Sequence, residues 1–595
     1  MLNEENTKLI EAPTKTAANA PTVPAAISTP SHAPTYIFAL GGVGEIGKNM
    51  YVIQHEDEII IVDAGIKFGN ESTPGANGIV PNLDYLKENE KKIKALIITH
   101  GHEDHIGAIP HLLRNVKIPE IWAGKLACEL IKKKLTEYKD IKFNTAKDLH
   151  PINDDSKFKT KNFTIEFCRV AHSIPDAFAV AITTPNGLIF ETGDFRFDFS
   201  TYGDQFNIQK AAELGQRDVA VLMCEATNAQ REGFSASEYY VIKNLKQIIA
   251  KQIGRVFVSS FASNLSRIEQ IIAICVANNR KVCLMGRSMD TNVNVSRKIG
   301  YLNVPNETFI TPAEIANYPD NEVAILLTGS QGEELAALSQ IAYGKHHYVT
   351  FKPTDTVILS SNPIPGNYLS VEELVNQIYK CGVKVYENSP TCKIHASGHA
   401  TQTELQLLIK ILRPTNLVPI HGEYKMMASL KNLAELVGMD ANAIKVSALG
   451  QKLELYDGVV EVTDDFVPIG NTYIDGNQAQ DGDHENNDSW EVGQERQNIS
   501  NNGVFNVLLI FNKNTKTLNT NPIISTRGCF YAKENAWLVN KIMSTIKQMV
   551  QKELKEKKEI PSHQFLRSKV FNIVSQYIWR TKHKTPRIFT NIMEI

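Results

Sequence analysis

Residues 100–105 have the sequence HGHEDH and directly follow Ala95–Thr99, an apolar run that predicts a buried strand. Imidazole and carboxylate groups are the ligands that zinc prefers in proteins. At this spacing the first two histidines can reach one metal ion, while Asp104 and His105 reach a neighbouring ion. The alternative is a polar surface loop with chance histidines, but the chain has only 16 histidines in 595 residues. The hexapeptide therefore predicts a metal-binding loop at a strand end.

A single polar residue follows a predicted strand at four other points of the chain. In open α/β sheets, ligands gather at the carboxyl ends of the strands. Taken alone, each of these residues is equally well explained as a helix cap or a hydrogen-bonding core residue. Together they supply the ligands that a two-metal site still needs. They are Asp63 after Ile59–Val62, His172 after Ile165–Val170, Asp194 after Leu188–Phe190, and His421 after Leu417–Ile420.

Predicted strands alternate with amphipathic helices through most of the chain, which indicates an α/β layered architecture. One helix, Thr403–Leu412, is opened by Thr401 and Glu404 as a capping box. Near the end, Val504–Phe511 has strand character and Ala536–Glu553 is a long amphipathic helix, so we expect a small C-terminal α/β domain. That domain ends in a basic segment that contains Arg580, Lys582, Lys584 and Arg587.

Length and composition limit the protein class. A chain of 595 residues is too long for one core, so two or three domains are expected. No apolar run approaches the roughly 20 residues that cross a bilayer, and no apolar segment follows the acidic first residues, so we expect neither a signal peptide nor membrane contact. The eight cysteines are scattered as in reduced, cytoplasmic proteins. The net charge of −2 leaves nucleic-acid binding to local positive charge or to metal ions.

The metal-ligand pattern H-x-H-x-D-H and its flanking residues resemble the metallo-β-lactamase fold. Further motifs resemble the β-CASP nucleases of that fold, and specifically the ribonuclease J family. The matching stretches run in order from Tyr36 to Lys452, with a weaker match through the C-terminal domain. They are LGGVGEIGKNM (40–50), VDAGIKF (62–68), HGHEDHIGAIP (100–110), TGDFRFD (192–198), TGSQGE (328–333), SSNPIPGN (360–367), HASGHA (395–400) and PIHGE (419–423).

The resemblance implies an αββα metallo-β-lactamase sandwich with an inserted β-CASP domain and a small C-terminal α/β domain. The implied organisation has six segments. They are a disordered tail (1–34), the first part of the metallo-β-lactamase domain (35–230), the β-CASP domain (231–382), the second part of the metallo-β-lactamase domain (383–450), a linker with a polar insertion (451–503) and the C-terminal domain (504–595).

The resemblance also assigns the metal ligands of a two-zinc site. The first zinc would be held by His100, His102 and His172, and the second by Asp104, His105 and His421. Asp194 would bridge both ions, and Asp63 would fix the orientation of an imidazole from behind.

Three residues receive catalytic roles from the resemblance. Asp104 would orient the attacking water, and His399 would stabilise charge or protonate the leaving 3′ oxygen, oriented by Glu225. Without the resemblance, Glu225 is better explained as a strand-end carboxylate that caps a helix. Family members that process RNA tend to carry His at the position of His421, whereas those that act on DNA tend to carry Val.

Two loops are candidates for binding an RNA 5′ phosphate. The first precedes the helix opened by Thr401, so its amides and hydroxyl can present donors to a phosphate; it consists of His395, Ala396, Ser397, Gly398 and His399. The second, SSFASNLSR at 259–267, offers Ser263 and Arg267. Turn chemistry for the serines and a solvated helix charge for the arginine are the alternatives.

The function that the resemblance implies is zinc-dependent ribonuclease activity, both 5′→3′ exonucleolytic and endonucleolytic, in rRNA processing and mRNA decay. An RNA with a 5′ monophosphate would be preferred, and the protein would form a homodimer or tetramer or would associate with a paralogue. Another hydrolase of the same fold, such as a thioesterase or lactonase, is one alternative, and a catalytically silent RNA-binding scaffold is another. The inserted domain argues against the first alternative and the complete ligand set against the second.

The chain departs from the family pattern at a few positions. Glu191 stands where a histidine is common, Cys224-Glu225-Ala226 replaces a more usual Asp-Ser pair, and Ser266 stands where a larger residue is frequent. The polar insertion at 475–502 interrupts a strand-loop region. None of these departures removes a predicted metal ligand.

Overall fold

The computed structural model describes residues 33–69, 73, 76, 78–329, 331, 333, 336–363, 367–475, 478–480 and 488–595. The predicted disordered tail lies outside the described residues except for its last two positions. Among the described residues, no helix combines the length and the hydropathy that crossing a membrane requires.

Two sheets packed face to face form the first domain. The eight-stranded sheet has the order Val459–Phe466, Gln451–Tyr456, Thr35–Gly41, Met50–His55, Glu58–Val62, Ile93–Ile98, Ile121–Gly124, Leu149–Ile152. The six-stranded sheet has the order Lys157–Lys159, Thr164–Val170, Ala177–Thr184, Gly187–Glu191, Val219–Glu225, Asn416–Ile420. Residues of both inner faces, such as Ile53 and Val180, belong to one buried apolar cluster.

Helices cover the outer faces of both sheets, because each sheet also has apolar residues on its outer side. Helices Asp84–Glu88, Glu103–Ile106, Ile109–Asn115 and Lys125–Leu135 accompany the eight-stranded sheet. Helices Ile208–Gly215, Gln402–Leu412 and Tyr424–Leu436 accompany the six-stranded sheet. The predicted αββα sandwich is confirmed, and the capping box of Thr401 and Glu404 opens its helix as the sequence indicated.

The inserted domain contains a six-stranded sheet in which all neighbouring strands are parallel. Its order is Phe309–Ile310, Lys281–Met285, Val323–Leu327, Val256–Ser259, Thr356–Leu359, Lys384–Glu387. Helices Glu238–Ala250, Leu265–Ala277 and Arg287–Lys298 pack on one face, and Ala337–Ala342 and Tyr368–Lys380 on the other.

The last strand of this sheet lies beyond the predicted domain end at residue 382. Gly382 has a φ of 73° and turns the chain directly from a helix into the strand Lys384–Glu387. Because that strand pairs in parallel with Thr356–Leu359, it completes the inserted domain, and the predicted boundary was too early.

Residues 451–503 were predicted to be a linker, and this prediction was wrong for their first part. Gln451–Tyr456 and Val459–Phe466 form a hairpin that joins the eight-stranded sheet beside Thr35–Gly41. The alternating residues Leu453, Leu455 and Val460 enter the core of the sandwich. Strand pairing and burial outweigh the polar composition of the segment.

The remainder of this segment also contains regular elements. Asn471–Asp475 pairs with Gly78–Pro81 in a small sheet that also contains Lys67–Phe68 and Gln478–Gln480. Asp488–Asn502 is helical. Residues 476–477 and 481–487 of the predicted polar insertion lie outside the described residues.

The C-terminal domain is a small α/β layer, as predicted. Strand Val504–Asn512 pairs with Thr517–Leu518 and Ile523–Arg527 on one side and in parallel with Arg587–Glu594 on the other. Helices Ala536–Lys557 and His563–Lys582 bury their apolar sides against one face of this sheet.

Candidate metal centre

The carboxyl ends of several strands meet at one edge of the sandwich and carry the predicted ligands there. His100 follows strand Ile93–Ile98, and Asp194 follows Gly187–Glu191. His421 follows Asn416–Ile420, where Val43–Gly44 pairs with Gly422–Glu423. Parallel pairing aligns these ends, so residues distant in sequence converge on one place.

Two groups of side chains have ligand atoms that lie within 4.8 Å of one another. The first group contains His100, His102, His172 and Asp194. The second group contains Asp104, His105, His421 and again Asp194. The structure thus brings together every residue that was predicted to hold a metal ion, and Asp194 belongs to both groups.

The polar atoms at the meeting point of these groups fit a cation. Oδ1 of Asp194 and both ring nitrogens of His421 are buried without a hydrogen-bond partner among the described residues. Nε2 of His421 faces that Oδ1 at 3.3 Å, without hydrogen-bond geometry. Unpaired buried polar atoms are costly, at about 1–3 kcal/mol each, and a metal ion shared by the two groups would satisfy Oδ1 of Asp194 and one ring nitrogen of His421.

The first group presents neutral imidazoles. Nδ1 of His102 lies 3.0 Å from Nε2 of His100 and 3.0 Å from Nε2 of His172. Burial lowers the pKa of His102 to about 4 and lowers the pKa values of His100 and His172 well below the usual range. Neutral rings keep the lone pairs that metal binding requires.

Asp63 holds the loop behind the second group. Its Oδ2 accepts a hydrogen bond from the Thr99 hydroxyl at 2.8 Å, and its Oδ1 accepts one from the Thr99 amide at 2.8 Å. The same Oδ2 lies 2.6 Å from Nδ1 of His105. Fixing one ring nitrogen leaves Nε2 of His105 to face the group, which is the orienting role proposed for Asp63.

Two residues at this edge of the sheets have strained backbone conformations. Asp63 and His421 have φ values of 62° and 45°, in the left-handed region that is unfavourable for residues with a Cβ atom. His421 is held there by its amide, which donates to Gly42 O at 2.7 Å, and by its carbonyl, which accepts from the Thr227 hydroxyl at 2.9 Å. Such strain persists where the surroundings dictate the conformation, as they do at functional sites.

Asn49 is a site residue that the sequence did not single out. Its side-chain amide lies 3.1 Å from Nε2 of His105 and donates to Asp104 O at 3.1 Å. Tyr51 donates to the Asn49 side-chain oxygen at 3.0 Å. The motif LGGVGEIGKNM contained Asn49, but no chemistry in its residue types pointed to the metal loop.

His399 and Glu225 form a pair beside Asp194. Nδ1 of His399 lies 2.6 Å from Glu225 Oε2 and 3.8 Å from Asp194 Oδ2. Glu225 Oε1 accepts from the Phe195 amide at 2.8 Å, so the carboxylate is fixed from both sides. Burial opposes protonation of His399, but the charges of Glu225 and Asp194 outweigh it and raise the pKa of His399 to about 9.

The His395–His399 loop is anchored so that Ser397 lies next to His399. Asn228 donates from its side chain to the Ser397 hydroxyl at 2.8 Å and to His399 O at 3.1 Å. The His399 amide donates to the Ser397 hydroxyl at 3.3 Å. Gly398 packs against His172, because a Cβ atom at this glycine would lie 2.7 Å from the His172 ring.

Arg267 was predicted to contact phosphate, and the structure corrects this prediction. Its side chain is 0% exposed. The guanidinium donates to Glu238, to the carbonyls of Ser360 and Ala396, and contacts Nδ1 of His395 at 2.8 Å. All of its donors are therefore engaged inside the protein, and Arg267 positions the His395–His399 loop instead of reaching a ligand.

A second buried arginine supports the same loop. Arg196 donates to Ser397 O at 3.3 Å and pairs with Glu238 and Asp198. Glu238 thus lies between two guanidinium groups that both hold loop carbonyls. Ser263 is half-buried on the neighbouring loop, whose Phe261 ring is centred 6.1 Å from the His395 ring.

Four family models match separate parts of the chain. The Metallo-beta-lactamase superfamily model matches residues 43–176, and the model described as Ribonuclease J, beta-CASP domain matches residues 253–378. The Zn-dependent metallo-hydrolase RNA specificity domain matches residues 392–447, and the Ribonuclease J C-terminal domain matches residues 492–595. The metal-ligand groups lie within or between the segments matched by the two metallo-hydrolase models.

Relatives that match nearly the whole chain are also named ribonuclease J. Ribonuclease J of Mycoplasma pneumoniae is 47% identical over 560 residues, which cover 94% of this chain and 97% of that protein. Ribonuclease J 1 of Streptococcus pyogenes is 38% identical and Ribonuclease J2 of Bacillus subtilis 34% identical, each over 94% of this chain and over 97% and 98% of those proteins.

A solved structure supports the fold alone. A protein of unknown function from Enterococcus faecalis has a TM-score of 0.50 at 15% identity, covering 71% of this chain and 100% of that one. The sequence identity to the named relatives, the share of the chain that they cover and the order of the matched domains all point to the same family as the metal-ligand groups do. This chain belongs to the ribonuclease J family of metallo-β-lactamase-fold nucleases.

Proposed function

We propose that this chain is a two-zinc ribonuclease that degrades RNA from a 5′-monophosphate end and also cleaves it internally. The observation that carries this proposal is the pair of ligand groups that share Asp194. His100, His102 and His172 would hold one zinc ion, and Asp104, His105 and His421 the other. When bound, the ions would supply Lewis acidity that neutralises phosphate charge and acidifies water.

Two residues of the chain, Asp104 and His399, would carry out the remaining chemical roles. Asp104 has a 30% exposed side chain, the most open of the second ligand group, and would orient the attacking water toward phosphorus. His399 is 23% exposed and is held by Glu225 through Nδ1, which leaves the opposite edge of its ring to meet substrate. Its protonated ring would stabilise the developing charge and donate a proton to the leaving 3′ oxygen.

The direction of degradation follows from the bond that breaks. Cleavage of the bond between phosphorus and the 3′ oxygen leaves the phosphate on the 5′ end of the downstream fragment. That fragment again fits a site that binds a terminal phosphate, so repeated cleavage from the 5′ end follows. RNA that crosses the cleft without presenting an end would be cut internally at the same centre.

The His395–His399 loop is the proposed phosphate site. Protein groups already occupy the N-terminus of the following helix. The amides of Gln402 and Thr403 donate to backbone carbonyls, and Thr401 forms a capping box with Glu404. A phosphate would therefore be bound by the amides and the Ser397 hydroxyl of the loop itself. Ser263 on the neighbouring loop would add a second hydroxyl.

We place this activity in the cytoplasm. All eight cysteines are free thiols, and six of them are buried. Thiols persist in a reducing compartment, where RNA is also made and degraded.

The 5′-end site is tested with matched RNAs that differ only at the 5′ group. We expect faster shortening of the monophosphate RNA than of the triphosphate or hydroxyl RNA, because a triphosphate adds charge without partners and a hydroxyl leaves donors unpaired at about 1–3 kcal/mol. Ser397→Ala should lose this preference and retain internal cleavage, whereas the control Ser156→Ala should match the wild type. Equal rates for all three ends would remove the phosphate site from the proposal.

A further inference from the structure

Charge is distributed very unevenly along this chain. Residues 504–595 contain 16 Lys and Arg but only five Asp and Glu, a formal charge of +11. Because the whole chain carries −2, residues 1–503 carry −13. A strongly basic domain attached to an acidic remainder indicates a polyanionic partner for that domain.

The helices of the C-terminal domain present much of this charge to solvent. Helices Ala536–Lys557 and His563–Lys582 turn one side to the sheet, where Leu538, Ile542 and Val574 are fully buried. Other sides of the two helices carry exposed basic residues. These include Lys541, Lys552 and Lys555 on the first helix and Arg567, Lys569 and Arg580 on the second.

Large aromatic side chains are exposed on the same helices. Trp537 is 61% exposed, Phe571 53% and Trp579 54%. Arg567 and Phe571 lie about one turn apart on their helix, and Trp579 follows two turns later, roughly 80° further round the helix axis. Exposed tryptophan and phenylalanine beside arginine form the kind of surface on which unpaired bases stack.

The basic residues on this surface are available to a ligand. Lys541, Lys555, Arg567 and Arg580 make no ion pair within the described ranges, whereas Lys552 and Lys557 pair with glutamates of their own helix. Unpaired charges on a rigid helix can meet phosphates without first breaking an internal contact.

We propose that the outer face of these two helices binds single-stranded RNA, as a second RNA-contacting surface separate from the metal centre. This inference rests on the proposed ribonuclease function, which makes RNA the polyanion that the protein must hold. Basic side chains would contact phosphates, and Phe571 and Trp579 would stack on bases. The surface would keep an RNA bound between successive cleavages.

A second copy of the chain fits this face less well. Two faces of the same positive charge would repel one another on approach. The opposite face of the C-terminal sheet is the more suitable self-association surface, because it is apolar at Leu508, Ile510 and Phe589. Its charged residues, Arg527 and Arg587, both lie at one end of the sheet, where each pairs with Val504.

The test measures binding of a fluorescein-labelled 20-nucleotide oligo(U) to the full-length protein in EDTA, which prevents metal-dependent cleavage, across a salt series. Arg567→Gln combined with Arg580→Gln should lower the slope of log affinity against log salt by about 1.4, since each phosphate contact to a single strand contributes about 0.7. Trp579→Ala should weaken binding about tenfold through lost stacking. The control Lys147→Gln with Lys251→Gln removes two exposed lysines of other domains and should behave like the wild type.

Three results would overturn the proposal. An unchanged slope in the double arginine variant together with unchanged affinity in Trp579→Ala would show that RNA does not contact this face. A loss of dimer or tetramer by sedimentation in these variants, with RNA binding intact, would assign the face to a second copy. Loss of binding to anionic phosphatidylserine vesicles, again with RNA binding intact, would assign it to a membrane surface. Cleavage by the wild type is measured separately, so failure here leaves the ribonuclease proposal standing.

Discussion

Arg267→Met tests whether a buried guanidinium shapes the proposed 5′-phosphate site. The change removes a side chain that is 0% exposed and holds Glu238 and the carbonyls of Ser360 and Ala396. Methionine keeps much of the volume but supplies no donor. We expect the His395–His399 loop to lose its fixed conformation, and the preference for a 5′ monophosphate to fall with it.

The expected loss of stability in Arg267→Met follows from breaking a buried ion pair. Removing one partner leaves the Glu238 carboxylate, which is 7% exposed, with only Arg196 beside it. Removing one partner of a buried ion pair lowers the free energy of unfolding by about 3–5 kcal/mol. For a domain the size of the inserted one, this corresponds to a decrease in melting temperature of roughly 6–20 °C.

Arg255→Met is the matched control in the same domain. Arg255 forms a bidentate pair with Asp355 at 3.0 and 2.6 Å, and the Asp355 side chain is 0% exposed. It also donates to Thr350 O at 2.7 Å and makes no contact with the His395–His399 loop. We expect both variants to lose similar stability, and only Arg267→Met to lose the 5′ preference.

The assay compares the rates of shortening of 5′-monophosphate and 5′-hydroxyl RNA at a temperature well below both melting transitions. The wild type and Arg255→Met should share one rate ratio, and the ratio for Arg267→Met should approach one. A folded Arg267→Met protein that keeps the wild-type ratio would refute the positioning role of this arginine.

Two further predictions concern association and thiol chemistry. Deleting residues 504–595 should weaken self-association, because it removes the apolar sheet face containing Leu508 and Phe589. The zinc content should persist, since every proposed ligand precedes residue 422. Unchanged sedimentation of the truncated protein would contradict the predicted role of this face. Burial raises the pKa values of Cys128 and Cys275 to about 12, so the thiolate fraction at pH 8 is about 10⁻⁴. Alkylation of the native protein should therefore be slow at both cysteines. Rapid labelling of either cysteine, located by mass spectrometry, would show that the core opens readily.

The convergence of the ligands was predictable because it depends on strand ends. Asp63, Asp194 and His421 each follow a buried strand, and parallel pairing brings such ends together whatever their separation in sequence. The hairpin at 451–466 was missed although its signal is local. Asp457 and Gly458 have φ values of 46° and 81°, as a two-residue hairpin turn requires, and Asp-Gly is typical of such turns.

The support of the His395–His399 loop was not predictable from local sequence. Glu238 follows Ser237 at the start of a helix, where an acidic residue is ordinarily explained by the helix dipole. Its partners Arg196 and Arg267 lie on other segments, and each could equally be a solvated charge in the sequence. Only the packed structure shows that the three residues are buried together.

The measurement that tests the two-zinc site most directly combines metal analysis with hydrolysis of a 5′-labelled RNA by the same preparations. The wild type and His150→Ala, which changes a histidine of the same domain outside the ligand groups, should contain two zinc ions per chain and cleave RNA. His102→Ala should lose zinc from the first ligand group and lose hydrolysis, while RNA binding largely survives. Near-normal turnover by His102→Ala, with its metal content verified, would contradict the account.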